Sequence, residues 1–600
     1  MPSSSPQTGA QIIAHALQAL RIRVVFGLVG IPVIEIAEAC LALEIKFIGF
    51  RNEQACAYAA TAYGYLTGTP GVCLVVGGPG VLHAMAGIGN ASINAWPLLL
   101  LAGSSETHLV GKGAFQELDA IELLTPHTKT ATRPPSLDSI PSAIGNAFRA
   151  SFYGRPGPTM VDLPADLIQG TVSAFSNVSS SSDPPPSAPE TLPSRSTLRT
   201  AASLLRFAKS PLIVIGKGAA YARAETPIRA LIDQTNIPFL PTPMGKGVVP
   251  DTHPLNVASA RSAALKGADV VLLLGARLNW ILHFGQPPKW NQEVRFIHVD
   301  VDAAELSRNK SSLNLLGDIT LVVSALSDLL ESYTYSTSHQ SPYIEALSIS
   351  KEKNLATSRK KALPPITSTD RMTTTYALTV INETLALLSP PMDGNVVFVS
   401  EGANTMDTAR SIFSLDHPRR RLDAGTHATM GVGLGYAIAA WEAYNGVEAK
   451  DNSSRKKVVC IEGDSAFGFS GMEVETMGRY GMDVLIFIIN NGGVYHGDAD
   501  SIEEWQHLQS NTTTADQSPG LRSTSLSYAT RYEALATACG GAGYFVQTPE
   551  ELTRATREGF QAGKVSIVNV MVESGKGDEL QFAWQATGTG KREDKQGAKL

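Results

Sequence analysis

The sequence predicts an α/β protein of three domains, with parallel sheets flanked by helices. Three observations carry that expectation. At 600 residues the chain exceeds what a single hydrophobic core organises, so three to four domains of ordinary size are expected. Short apolar runs alternate with Ala/Gly-rich stretches of helical length, the pattern of buried parallel strands joined by crossover helices. Two polar segments interrupt the alternation and divide it into three blocks.

In chain order, residues 1–172 form the first block, and Leu98 to Ala102 is too short for anything but a buried strand. Residues 173–196, with four consecutive serines and a run of three consecutive prolines, are too poor in apolar residues to pack and form a linker. The central block, 197–330, has strand-like runs at Leu212–Ile215, Val270–Leu274 and Arg295–Val301. A second polar linker covers 331–370, and the third block covers 371–573. Within the third block, Asp498 to Ser525 is polar and is expected to be a mobile loop near the site. The first and third blocks share the same alternation, which allows a common topology. Residues 574–600 form a charged, Gly-rich tail.

Composition excludes several function classes. A chain 43% hydrophobic and 17% charged, with no apolar run of membrane-spanning length, reads as a globular enzyme. A net charge of −6 gives no basis for nucleic-acid binding. The five cysteines show no Cys-x-x-Cys spacing, against a zinc site or a disulfide framework. The N-terminus lacks the layout of a secretory signal, so an intracellular protein is expected.

The strongest chemical signal lies in the third block. The apolar run Val458-Val459-Cys460-Ile461 leads through Glu462 to Gly463-Asp464-Ser465, and a second run ends in Asn490-Asn491-Gly492-Gly493. The stretch between them is long enough for a crossover helix, so Asp464 and Asn491 emerge at the carboxyl ends of adjacent parallel strands, where open sheets bind ligands. A carboxylate, an amide oxygen and a backbone carbonyl, for which Gly493 is the candidate, suit Mg²⁺, which takes oxygen ligands and recruits phosphates. The segment reads as a diphosphate anchor.

This pattern resembles the thiamine-diphosphate enzymes, in which Gly-Asp-Gly, a gap in the high twenties and a final Asn hold Mg²⁺ and the cofactor's diphosphate. Ser465 replaces the usual third Gly and keeps a hydroxyl able to donate to phosphate. Far upstream, Arg51-Asn52-Glu53-Gln54-Ala55 runs from a strand into an Ala-rich helix. A lone Glu there would be ordinary helix-dipole complementation, worth roughly 0.3–1 kcal/mol. In the resembling family the Glu of this Arg-x-Glu-x-Ala setting binds N1′ of the aminopyrimidine and drives its imino tautomer, which implies that role for Glu53.

The resemblance spans nearly the whole chain and is similar to the 2-hydroxyacyl-CoA lyase and oxalyl-CoA decarboxylase branch. It is carried by Gly78-Pro79-Gly80, Tyr153-Gly154-Arg155-Pro156, Ile215-Gly216-Lys217-Gly218, Gly275-Ala276-Arg277-Leu278-Asn279-Trp280 and Ser400-Glu401-Gly402-Ala403-Asn404. It implies pyrimidine-binding, central and diphosphate-binding domains with six-stranded sheets, and thiamine diphosphate and Mg²⁺ as cofactors. It also implies at least a homodimer, with tetramers common, in which Glu53 acts from the partner chain. The implied reaction is cleavage of a 2-hydroxyacyl-CoA into formyl-CoA and an aldehyde one carbon shorter. Alternatives are oxalyl-CoA decarboxylation, carboligation of the acetohydroxyacid-synthase type, and a non-catalytic scaffold. The pair Phe115-Gln116 favours the lyase, since the decarboxylases usually carry Tyr-Glu there.

By the same resemblance Gln116 faces the reacting carbon and Met430 is the wedge that bends the cofactor. Ala428 replaces a Gly whose carbonyl commonly accepts from N4′, in His427-Ala428-Thr429-Met430 where the family usually reads Phe-Gly-Thr-Met. The run Gly431 to Gly435 lacks dinucleotide-fingerprint spacing and better fits close helix packing. Lys217 and Arg277 are candidates for the phosphates of a CoA nucleotide, and His496 for proton transfer. His83, His108, His127 and His283 carry no assigned role. Gln581, Phe582 and Trp584 are candidates for a lid. The terminal Ala598-Lys599-Leu600 resembles a peroxisomal address read by an import receptor, so a peroxisomal location is expected.

Overall fold

A computed structural model describes residues 6–172, 187–308, 312–337, 341–364, 371–447, 455–513 and 519–576. The lid candidates and the terminal tripeptide lie outside the described residues, as does much of the first linker. Three parallel sheets follow one another along the chain. The first contains Val24–Gly27, Lys46–Gly49, Gly71–Val75, Leu98–Ser104, Ala131–Thr132 and Pro158–Pro164. Numbered in chain order within the sheet, these strands lie side by side as 2-1-3-4-6-5. The third sheet, built from Val396–Ser400, Arg421–Asp423, Lys457–Gly463, Val484–Asn490, Ala542–Val546 and Ser566–Met571, has the identical order. The shared topology allowed by the sequence is therefore present.

Helices cover both faces of these sheets. Leu98–Ser104 and Val484–Asn490 are buried along their whole length, which is why they read as continuous apolar runs rather than alternating ones. The central sheet differs from expectation. Among the described residues it has five strands, ordered 2-1-3-4-5, where the resemblance implied six. After its last strand, Leu313–Leu316, the chain continues as helices rather than returning to the sheet.

Two segments read as unstructured carry helices. The stretch 331–370 contains Pro342–Lys361, anchored on the central domain by buried Tyr343, Ile344 and Leu347. Its three buried residues fall within the first two turns, and the remainder of the helix is mostly polar, with Ile349 and Leu355 exposed. Asp498 to Ser525, expected to be a mobile loop, holds helix Ile502–Thr513 and is tied by Arg522 and Ser525 to Asp498.

The first and third domains meet through helices Glu53–Thr67 and Gly433–Asn445. Both are rich in Ala and Gly, so their backbones approach closely: a Cβ on Gly435 would lie 2.6 Å from the Ala55 carbonyl oxygen. Lys46 adds an ion pair to the buried Glu442, at 2.6 Å.

Candidate active site

The third domain brings Asp464 and Asn491 together as its strand order requires. Gly463 pairs in register with Ile489, so Asp464 and Asn491 leave adjacent strand ends. Asp464 is 3% exposed. Its Oδ1 accepts from Ser465 N and its Oδ2 from Gly492 N, each at 2.8 Å. Burial outweighs these backbone hydrogen bonds and pushes its carboxyl up to about 7. Asn491 Oδ1 accepts from Gly493 N, and its amide donates to Tyr495 O at 2.8 Å.

A buried carboxylate stabilised by neutral donors alone is chemistry that a bound cation completes. Among the described residues no cluster of three or more His, Cys, Asp or Glu side chains suited to a metal occurs. The donor set is therefore one carboxylate, one amide and backbone carbonyls, which fits Mg²⁺ shared with a phosphate.

A cleft of about 2440 Å³ opens over these residues, lined by Gly463, Asp464, Ser465, Asn491, Gly493 and Met430 among others. His496 also lines it. Among the described residues, none of the lining comes from the first domain. Met430 is carried by the loop Gly425–Gly431. Ala428 within it adopts φ +53°, the left-handed conformation a glycine favours. The Gly-to-Ala departure therefore keeps the glycine-like backbone, at a cost of roughly 1–2 kcal/mol. Beyond the loop, the buried Glu401 accepts from Gly431 N and Gly433 N. Glu462 lies so close to Gly433 that a Cβ there would be 1.8 Å from its Oε1.

The first domain assembles a second cluster. Glu53 is the first residue of its helix, capped by Asn52, whose side chain accepts from Gln54 N at 2.7 Å. Glu53 is 8% exposed, and His83 Nδ1 lies 3.0 Å from its Oε2. The sequence assigned His83 no role. Its signal is visible only once the helix Pro79–Asn94 is placed beside Glu53. Gln116 has φ +54° and packs its backbone on Gly78, just before that helix. Glu53 and His83 thus share one corner, Gln116 lies against the start of the His83 helix, and Phe115 next to it is 71% exposed.

Between the first and central domains lies a cavity of about 1200 Å³, lined by Trp96 and Arg155 of the first and by Lys217, Tyr221, Arg277 and Asp300 of the central one. Lys217 and Arg277 were both expected at such a place. Burial, with Arg277 nearby, holds the Lys217 ammonium well below the usual lysine range.

Comparison with known proteins matches all three domains to one family. Residues 7–123, 198–326 and 401–570 match the N-terminal TPP binding, central and C-terminal TPP binding domains of thiamine pyrophosphate enzymes. The chain is 46% identical to 2-hydroxyacyl-CoA lyase 1 of Mus musculus, covering 97% of each. It is 47% identical to 2-hydroxyacyl-CoA lyase 1 of Homo sapiens, covering 95% of each. The chain belongs to the thiamine-pyrophosphate-dependent 2-hydroxyacyl-CoA lyase family. The family's neighbours include the oxalyl-CoA decarboxylase of Escherichia coli K12, 39% identical over 95% of this chain and 96% of that one.

Proposed function

We propose that the chain uses thiamine diphosphate and Mg²⁺ to cleave a 2-hydroxyacyl-CoA into formyl-CoA and an aldehyde one carbon shorter. The observation that carries this reading is the pairing of Asp464 with Asn491 at adjacent strand ends in a chain 46% identical, almost end to end, to a 2-hydroxyacyl-CoA lyase. Asp464, Asn491 and the Gly493 carbonyl are assigned to Mg²⁺, and Gly463 and Ser465 to the diphosphate. Ala428 offers its carbonyl to the aminopyrimidine and Met430 its side chain as the wedge. The bound thiazolium supplies the electron sink that carbon–carbon cleavage requires.

Glu53 holds the proton at N1′ of the aminopyrimidine, and Gln116 orients the substrate beside it. Their own chain's cleft contains neither residue, and Phe115, Leu82 and Ile31 leave apolar surface exposed on the first domain. Both facts support a homodimer, or a tetramer of such dimers, in which the partner's first domain covers the cleft. The cavity between Arg155, Lys217 and Arg277 suits the adenine nucleotide of an acyl-CoA, whose phosphates need cations. A peroxisomal site of action belongs to the same reading and is supported by the Ala598-Lys599-Leu600 motif.

The test is mass spectrometry of products from purified protein with thiamine diphosphate, Mg²⁺ and a long-chain 2-hydroxyacyl-CoA, with oxalyl-CoA in parallel. Formyl-CoA plus the shortened aldehyde is the expected outcome. Formyl-CoA and CO₂ from oxalyl-CoA alone would replace the lyase with a decarboxylase.

A further inference from the structure

The loop Gly425–Gly431, which carries Ala428 and presents Met430 to the cleft, is held largely by residues outside its own domain. Thr426 is the centre of that hold. Its Oγ1 accepts from Lys217 Nζ and from Arg277 Nη2, each at 3.1 Å. Its carbonyl accepts from Trp280 Nε1 at 2.8 Å, and its own N–H donates to Asn94 Oδ1 at 3.1 Å. Lys217 donates to the same Asn94 oxygen and stands 5.7 Å over the Trp96 ring. Arg277 also reaches the Ile93 carbonyl at 2.7 Å. Three residues on, Thr429 donates to Asn90 Oδ1 at 3.1 Å. A Cβ on Gly425 would lie 2.5 Å from Asn94, so the loop cannot withdraw from this contact without breaking it.

We infer that Lys217, Arg277 and Trp280 of the central domain are positioning residues for the cofactor, acting through Thr426 to fix the loop that carries Ala428 and Met430. The inference rests on the cofactor-binding reading of that loop. The Arg277 guanidinium makes a charge-assisted hydrogen bond to the hydroxyl oxygen, stronger than a neutral one, and the Lys217 amine adds a second donor to the same atom. A loop fixed in this way needs no reordering when the cofactor arrives, and misplacement by an ångström at such a loop is costly to turnover.

Replacing Thr426 separates this role from nucleotide binding, because Thr426 lies outside the lining of the Arg155–Lys217–Arg277 cavity. The experiment titrates thiamine diphosphate into the metal-loaded wild type and into Thr426→Val and Thr426→Ser by intrinsic fluorescence, then measures kcat and the acyl-CoA KM. Expected for Thr426→Val is about tenfold weaker cofactor binding and about tenfold lower kcat, with KM within about twofold. Thr426→Ser, which restores the hydroxyl, returns both to near wild type.

Trp280→Phe, which removes one donor and leaves the cations in place, gives a smaller shift in the same direction should the valine variant not fold. Unchanged cofactor affinity and kcat in folded Thr426→Val or Trp280→Phe would overturn the inference. So would a change confined to KM, which would return Lys217 and Arg277 to substrate binding alone. Absence of cofactor binding by the wild type would instead defeat the cofactor reading itself.

Discussion

The first and third domains have the same strand order and use it differently. In the third, the ends of two adjacent strands converge on a buried carboxylate ringed by backbone amides, and the cleft above is lined by that domain and the segment leading into it. In the first, the Glu53 carboxylate stands on the first residue of a helix with a histidine of the next helix 3.0 Å away, and the domain leaves Phe115, Leu82 and Ile31 exposed. In the proposed reading, one domain builds the ligand cage and the other is the lid for the partner chain's cage. A common topology therefore fixes where strand ends and helix starts lie, while the residues placed there decide which half of a site each becomes.

The largest expected effect tests the cage. Asp464→Ala should weaken Mg²⁺-dependent binding of thiamine diphosphate by on the order of 100-fold or more, since even outer partners of metal ligands are worth 10–100-fold. Calorimetric titration checks it. The lid is tested next. Glu53→Gln should keep cofactor affinity within a few-fold and lose most turnover, and neither variant alone should be active. Mixing and reassociating the two variants sharpens the comparison. If each site takes its lid from the partner, mixed dimers carry one intact site and about a quarter of wild-type activity returns. No recovery would place both halves of a site within one chain.

A smaller effect concerns the seam between the domains. Glu473 of the third domain accepts from Arg51 N at 3.1 Å, two residues before Glu53. Burial pushes its carboxyl up from 4.5 to about 7, opposed by the Thr476 hydroxyl and the Arg51 and Asn52 amides. Because the folded state holds this proton more tightly than the unfolded one, its contribution to stability is full below about pH 4.5 and is lost as pH rises through about 7. Glu473→Gln should remove up to one proton, at most about 1.4 kcal/mol per pH unit, from the slope of unfolding free energy across that window. Denaturant titrations at several pH values read it. The smallest effect is Ala428→Gly, expected to raise stability by about 1 kcal/mol through relief of the left-handed alanine, visible as a small rise in Tm.

The two strand-tip residues were legible in the sequence because an apolar run, its terminal Asp and the matching Asn are local signals whose spacing encodes adjacency. Glu53 was legible as a helix start, and its role came from the resemblance. His83 was not, because its nearness to Glu53 depends on how two helices dock rather than on any period in the chain. Lys217 and Arg277 were singled out as candidates for the phosphates of a CoA nucleotide, yet their hydrogen bonds to Thr426 and to Asn94 or the Ile93 carbonyl join three domains and leave no trace in local pattern. Helix Pro342–Lys361 was missed for a related reason: Tyr343, Ile344 and Leu347 are its only buried residues, too few to mark a helical face.

The Ala/Gly seam between helices Glu53–Thr67 and Gly433–Asn445 has a mechanical consequence. With a glycine packed directly on a carbonyl oxygen, there is no side chain whose rotation could absorb a change in angle. The two outer domains of one chain thus move as a single stiff frame. Any give that an acyl-CoA requires has to come from outside this seam.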